Sequence, residues 1–278
     1  MEYFLDLLVG AILMGCTYTL VAIGFSLFFG VMDVVVFCCG DIAIFGTFAI
    51  LGSYVIMSSM GITQSWPLIF VIFSLLVIGA VICAALGLFT YRISIKPFEK
   101  TSALMPLLST IALGTVIKEL IGLFFMPLTN GFSKLAGGAE AITVVSGRNP
   151  QGFPSLLSLG GSVTIRNIVI VTTTVLILFL LFLFLNKTKS GLAMQAISQN
   201  KELSLMTGIN VHKSIVSTFI IGGIILAIGG FLLGNYQTIM TFDNGAMYGV
   251  KGFSAAVVGG LRSTWGAIFG GIDRKSVV

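Results

Sequence analysis

The chain has 278 residues, of which 56% are hydrophobic and only 9% are charged. Soluble domains carry about a quarter charged residues, so this composition excludes a water-soluble enzyme or binding module. The net charge of +5 comes from Lys and Arg residues scattered between apolar runs, without the clustered basic patch that marks a nucleic-acid-binding surface.

Seven apolar runs are each long enough to cross the hydrocarbon core of a membrane as a helix, which takes about 20 residues. They cover residues 7–31, 42–60, 66–91, 103–126, 165–185, 214–239 and 249–272. The pattern predicts an all-α polytopic membrane protein with about seven transmembrane helices. The last run contains Gly259, Gly260 and Gly266, which favour two half-helices over one continuous span.

The basic residues predict the orientation, because cytoplasmic loops are enriched in Lys and Arg. The loops after the third and fifth spans are basic, whereas a much longer outer loop over residues 127–164 holds only Lys134 and Arg148. We therefore expect the segment 186–213 to be cytoplasmic and the N-terminus to lie outside. The basic residues of the two cytoplasmic loops are Arg92, Lys96, Lys100, Lys187, Lys189, Lys201 and Lys213.

Small residues in the sixth span recur on one helix face. Gly223, Ala227, Gly230 and Gly234 follow a spacing of four, three and four, which lets neighbouring backbones approach closely in a membrane. The alternative is that glycine is simply common in this chain, which has 34 of them. Either way the stripe predicts close helix packing and specifies no substrate.

Charged residues within the spans are the first candidates for function, because burying one in hydrocarbon costs about 2.5–3.5 kcal/mol. Lys118 and Glu119 lie in the fourth span, and as neighbours they point in different directions. We expect Lys118 to extend outward and Glu119 to face the bundle, with structural pairing as the alternative. Asp41 follows Gly40 at the start of the second span, where it can also cap a helix N-terminus.

No pattern of catalytic residues is present. The single histidine, His212, has no nucleophile motif beside it, and no phosphate-binding Gly-rich loop ending in Lys-Ser or Lys-Thr occurs. Cys16, Cys38, Cys39 and Cys83 lie in or beside apolar runs without metal-ligand spacing. We expect no enzyme activity, metal or cofactor, and any ATP hydrolysis would belong to another chain.

Several motifs, in order, resemble the permeases of bacterial branched-chain amino-acid ABC importers, and more closely the shorter of their two permease subunits. The similar stretches are residues 15–31, 37–46, 106–114, 188–210, 252–261 and 265–271. The second-span motif departs from the family, because Val36, Cys38 and Cys39 stand where Asn, Ala and His are usual. The substrate therefore stays open, since related permeases carry urea, short amides or sugars.

The resemblance implies a single transmembrane permease domain over residues 1–272, in the bacterial inner membrane. Its partners would be a second permease subunit, two cytoplasmic ATPase subunits and an extracytoplasmic binding protein. The coupling loop that contacts the ATPase would include Gly191, Ala196, Glu202, Gly208 and Ile209.

A zwitterionic substrate also needs polar groups at mid-depth. The candidates for the translocation path are Asp41, Ser109, Thr110, Glu119, Asn235 and Gln237.

Two rival functions and one anomaly stay open from the sequence. An ATPase-independent channel or secondary transporter would need ion-coupling carboxylates, for which only Asp41 and Glu119 lie near membrane depth; an intramembrane enzyme lacks a nucleophile–base pair.

The family normally continues for another span, giving eight or more, whereas here residues 273–278 follow. That hexapeptide looks like a translated sequencing adapter, so we expect a non-native tail, the alternative being a genuine basic terminus.

Overall fold

The computed structural model describes residues 2–59, 68–98, 104–135, 165–236, 244–261, 266–267 and 270–271. Within these ranges the regular structure is helical, and the prediction of an all-α polytopic membrane protein is confirmed. The helices are α1 (Glu2–Met32), α2 (Cys39–Ser59), α3 (Leu68–Thr90), α4 (Leu104–Leu135), α5 (Ile165–Lys187), α6 (Lys189–Gln199), α7 (Lys201–Met206), α8 (Val211–Tyr236) and α9 (Gly245–Gly259).

Five of these helices are long and apolar enough to cross a membrane, judged over the described residues. The spanning parts are Val9–Met32, Phe73–Phe98, Leu104–Phe124, Asn167–Lys187 and Val211–Gly234. The second of these continues past the end of α3 through a π-helical turn, Tyr91–Ile95, and a 3-10 turn, Lys96–Phe98. The apolar part of α2, Cys39–Tyr54, is shorter. The predicted seventh span begins as α9 and is interrupted after Gly259, where Gly260 adopts φ 91°.

Helix α8 packs against α1, α2 and α3 and forms the centre of the bundle. Its small residues are the points of contact. A Cβ atom at Gly223 would meet the backbone of Cys83 in α3, Ala227 lies against Gly46 of α2, and a Cβ at Gly230 would meet the carbonyl oxygen of Ala43. The stripe predicted from the sequence therefore lies where two neighbouring helices approach α8, and Gly234 is also buried.

The chain between α1 and α2 turns back into the bundle before α2 begins. Asp33 adopts a left-handed conformation with φ 55°, and Phe37 then packs on Phe253 at 5.4 Å between ring centroids. Phe253 also packs on Phe25 at 5.8 Å. Since Phe25 precedes the end of α1 at Met32 by seven residues, about 10 Å along a helix, α2 starts inside the bundle.

The predicted end of the fourth span differs from the structure by nine residues. Helix α4 continues to Leu135, through the first part of the predicted outer loop 127–164 and past Pro127. Membrane helices tolerate proline because neighbouring groups satisfy the freed backbone. The rest of that loop, from residue 136, and the predicted tail 273–278 lie outside the described residues.

The outward faces of α3, α4 and α5 are mostly apolar, and their exposed polar residues include Thr115, Glu119 and Thr172. Most of the other exposed side chains are aromatic or branched, the composition expected of surfaces in contact with lipid. They include Phe70, Phe73, Val81, Leu108, Leu123, Phe124, Val175, Leu176, Phe179 and Leu180.

Candidate functional site: the polar helical segment and the buried carboxylate

The polar segment, residues 186–213, folds into two short helices with a cap at the start of each. Thr188 caps α6, since its side-chain oxygen accepts from the N–H of Gly191 at 3.0 Å. Asn200 caps α7 by accepting from the N–H groups of Glu202 at 3.0 Å and Leu203 at 3.1 Å. Such caps satisfy backbone donors that helix starts leave unpaired, so this segment has a defined shape.

Helix α6 is attached to the bundle along one face. Met194 and Ile197 are buried in the main core, and a Cβ at Gly191 would meet the backbone of Phe184 and Leu185 in α5. Helix α6 also packs against α1. A displacement of the polar segment would therefore be transmitted directly to α1 and α5.

The five predicted coupling residues fall into two groups. Gly191 is buried, and Ala196 and Ile209 are half-buried, so these three lie within the fold of the segment. Glu202 and Gly208 are exposed, and Gly208 forms the turn after α7 with φ 79°. The segment therefore has an inner layer that holds it to the bundle and an outer layer that is available for contact.

The outer layer also contains apolar residues that the sequence reasoning missed. Leu203 is 59% exposed, Leu205 57% and Met206 83%, all on the six-residue helix α7. We call Glu202, Leu203, Leu205 and Met206 the α7 surface. Large apolar side chains between two polar caps were the signal that could have revealed it, because a solvated loop has no need of them.

Tyr91 and His212 connect the polar segment with the loop after α3. The Tyr91 hydroxyl and His212 Nδ1 are 3.0 Å apart, and the Tyr91 ring is buried against Phe219. His212 is exposed and belongs to the first turn of α8. The contact places the basic loop after α3 and the polar segment at the same end of the bundle.

Asp41 is a buried carboxylate around which three helices meet. It is 7% exposed and lies in the first turn of α2. A Cβ at Gly114 of α4, or at Gly245 at the start of α9, would meet its carboxylate oxygens. The charge of Lys118, one turn beyond Gly114, interacts with this carboxylate.

Burial opposes a negative charge at Asp41, whereas Lys118 and the positive ends of the α2 and α9 dipoles favour it. The expected orientation of the charged pair in α4 is thus reversed, because Lys118 is the half-buried residue and Glu119 is exposed. Gly114 explains this, since it brings α4 against α2 and Lys118 follows it by four residues on the same helix face.

The other predicted path residues are only partly brought together. Thr110 is fully buried, and its hydroxyl accepts from the N–H of Phe37 at 3.3 Å, which places it near the start of α2 and Asp41. Ser109 is half-buried, and its carbonyl oxygen accepts from the Ser94 hydroxyl at 3.3 Å. The Asn235 side chain and Gln237 lie outside the described residues.

The fold and these sites define a multi-pass membrane protein that carries a capped, partly exposed helical segment between two of its spans. Residues 7–272 match the family described as branched-chain amino acid transport system / permease component. The chain belongs to this family.

Curated relatives agree with this assignment. The chain is 29% identical to the high-affinity branched-chain amino acid transport permease LivH of Salmonella typhimurium, over 97% of this chain and 83% of that protein. It is 31% identical to a probable branched-chain amino acid transport permease LivH of Methanocaldococcus jannaschii, over 95% of this chain and 77% of that protein. A galactose/methyl galactoside import permease, MglC of Haemophilus influenzae, is 28% identical over 72% of this chain and 53% of that protein. No solved structure matches the chain.

Proposed function

We propose that this chain is one of two permease subunits of an ATP-driven importer and forms part of the path for branched-chain or related amino acids. An extracytoplasmic protein would deliver the solute, and two cytoplasmic ATPase subunits would supply the energy. The chain would lie in a bacterial inner membrane with its N-terminus outside. Family membership supports this, together with the two basic loops that lie at one end of the bundle.

The observation that carries the proposal is the α7 surface. Its apolar side chains project from a polar segment that the basic residues assign to the cytoplasm, where lipid does not cover them. A soluble partner that buried Leu203, Leu205 and Met206 would gain about 25 cal/mol for each Å² of apolar surface removed from water. Because α6 is packed on α1 and α5, a push on α7 would move spanning helices as rigid bodies.

For the solute path, we propose contacts from α4 and a positioning role for the start of α2. Glu119 lies on the exposed face of α4 and Ser109 is half-buried, so both are available to a solute, and a carboxylate suits the ammonium group of an amino acid. Asp41 and Thr110 are enclosed by α2, α4 and α9 and would hold the walls of the path in place. Asn235 and Gln237 stay predictions from the sequence.

The proposal is tested by co-purification with the ATPase subunit that it assigns to the complex. We expect Leu203→Asp combined with Met206→Asp to remove the ATPase from the purified complex and to reduce ATP-driven leucine uptake at least tenfold. The two aspartates would replace the apolar side chains that the ATPase would otherwise bury at the interface. Gln199→Asp, which adds charge to an exposed position of the same segment, should retain the ATPase.

A second variant separates docking from transmission. A Cβ at Gly208 would meet no atom within 4 Å, but φ 79° strains any branched side chain there. Gly208→Val should therefore keep the ATPase bound while uptake falls. If the Asp variants bind the ATPase as tightly as the wild type, the α7 surface is not the docking site.

A sugar permease is the second candidate, favoured by the similarity to the galactoside import permease. Competition distinguishes the two functions. Excess galactose should leave leucine uptake unchanged if the solute is an amino acid, whereas galactose accumulation without leucine uptake would favour the sugar. Uptake that proceeds without any ATPase subunit would favour the channel or secondary transporter.

A further inference from the structure

The chain makes a π-helical turn over Tyr91–Ile95, where α3 ends. The N–H of Lys96 donates to the carbonyl oxygen of Tyr91, five residues back, whereas an α-helix bonds four residues back. Turns of this kind are rare and occur frequently at functional sites. This one lies at the same end of the bundle as the polar segment, so its side chains are candidates for a contact with that segment.

The π-turn directs two buried side chains toward different neighbours. Residues three apart share one face of an α-helix, but a π-turn rotates the chain less per residue, so Tyr91 and Ser94 diverge. The Tyr91 hydroxyl reaches α8, 3.0 Å from His212 Nδ1. The Ser94 hydroxyl reaches α4 and donates to the carbonyl oxygen of Ser109 at 3.3 Å. One turn therefore contacts the polar segment on one side and α4 on the other.

Aromatic packing fixes the Tyr91 ring to the helices around it. Its centroid lies 5.4 Å from that of Phe219 in α8, and Phe219 stacks on Phe28 of α1 at 4.5 Å with an angle of 11° between the rings. All three rings are buried. Close-packed interiors transmit strain, so a movement of the first turn of α8 would be passed to the π-turn.

On its other side the π-turn is linked to the start of α2. Ser109, which accepts from Ser94, is followed by Thr110, whose hydroxyl accepts from the N–H of Phe37 at 3.3 Å. Phe37 precedes the buried carboxylate of Asp41 by four residues. Consecutive hydrogen bonds and covalent bonds therefore lead from the polar segment to the start of α2.

We propose that the π-turn transmits movement of the polar segment to α4 and to the start of α2, with Tyr91 and Ser94 as its positioning residues. The inference rests on the proposed function and adds to it a second route, beside the packing of α6 on α1 and α5. Movement driven by the ATPase enters at His212 and shifts α4, which changes the walls of the solute path. Tyr91 and Ser94 do not contact the solute, so they set the rate of transport and not the affinity.

The test uses proteoliposomes that contain this chain, its second permease and the ATPase, with the binding protein added. Tyr91→Phe keeps the ring against Phe219 and removes the bond to His212, which is exposed and can bond to water instead. We expect the maximal rate of leucine uptake to fall about fivefold or more, as typical coupling between sites predicts. The KM for the liganded binding protein, the bound ATPase and the melting temperature should stay unchanged. ATP hydrolysis should continue, so that fewer leucine molecules are moved per ATP.

Two further variants support the comparison. Ser94→Ala removes the bond to α4 and should lower the maximal rate with the same unchanged KM. Tyr54→Phe is the matched control, because Tyr54 is a half-buried tyrosine near the other end of α2 that packs against a separate small cluster. It should behave as the wild type in every measurement.

Substitutions of His212 separate the hydrogen bond from the shape of the ring. His212→Asn keeps a polar group close to the position of Nδ1 and should restore most of the uptake, whereas His212→Leu should lower uptake as Tyr91→Phe does. The combination of Tyr91→Phe with His212→Leu should lower uptake no further than either change alone, because both remove the same bond.

The outcomes distinguish this inference from the proposed function. If the wild-type complex takes up leucine and Tyr91→Phe moves as many leucine molecules per ATP, the π-turn does not transmit the movement and the importer stands. Losses that multiply in the double variant would overturn the inference, and so would release of the ATPase by Tyr91→Phe, which would assign the tyrosine to docking. If the wild-type complex takes up no amino acid, the proposed function is wrong and the role of the π-turn is wrong with it.

Discussion

Replacing Gly230 with alanine is expected to lower the melting temperature of the purified protein in detergent by several degrees. The added Cβ would meet the backbone carbonyl of Ala43, and Thr47 Oγ1 would lie 2.9 Å away. Backbone atoms of a packed helix cannot move aside as a flexible side chain can, so α2 and α8 must separate. Overpacking of this kind costs about 1–3 kcal/mol, and sometimes more. Thermal unfolding followed by size-exclusion chromatography measures the effect.

Gly30→Ala is the matched control for this variant. A Cβ there would find only the Cβ of Ser198, at 3.7 Å, which is an ordinary contact. Alanine is also preferred over glycine inside a helix by about 1 kcal/mol, so this variant should be as stable as the wild type or slightly more stable. Equal destabilisation by both substitutions would contradict the claim that Gly230 marks a close approach of two backbones.

Neutralising Asp41 is expected to cause the other large loss of stability. Asp41→Asn keeps the shape of the side chain but removes a negative charge that is attracted by the charge of Lys118. The loss of one partner of a fully buried charge pair costs about 3–5 kcal/mol. We expect a smaller loss of about 1–3 kcal/mol, because Lys118 is only half-buried. Chemical denaturation or thermal unfolding of the purified protein measures the change.

A double-mutant cycle identifies the cause. Asp41→Asn combined with Lys118→Gln should be less destabilised than the sum of the two single variants, with a coupling energy of about 0.5–3 kcal/mol. Glu119→Gln, which changes the exposed neighbour, should show no coupling with Asp41→Asn. Additive effects for the Lys118 pair would mean that the two charges do not interact in the folded protein.

The helices themselves were predictable because each apolar run is long enough to force a helix in a membrane. The start of α2 inside the bundle was not predictable. Val35, Val36 and Phe37 are apolar, and apolar residues are equally compatible with a position inside the bundle and with one at the membrane surface. Only tertiary contacts such as that between Phe37 and Phe253 fix their depth.

The candidate sites show the same division between local pattern and packing. The polar segment was evident from its composition, but which of its faces is exposed depends on where α6 packs. Lys118 and Glu119 are adjacent, so no periodicity distinguishes them, and the contact of Gly114 with Asp41 decides which one turns inward.

ATP-dependent uptake is the measurement that tests the central claim most directly. Proteoliposomes containing this chain, its second permease and the ATPase should accumulate radiolabelled leucine only when the binding protein is outside and ATP is supplied to the ATPase side. Accumulation should stop when ATP is replaced by a non-hydrolysable analogue. Leucine uptake that continues without ATP or without the ATPase subunits would contradict the account and identify a transporter that works on its own.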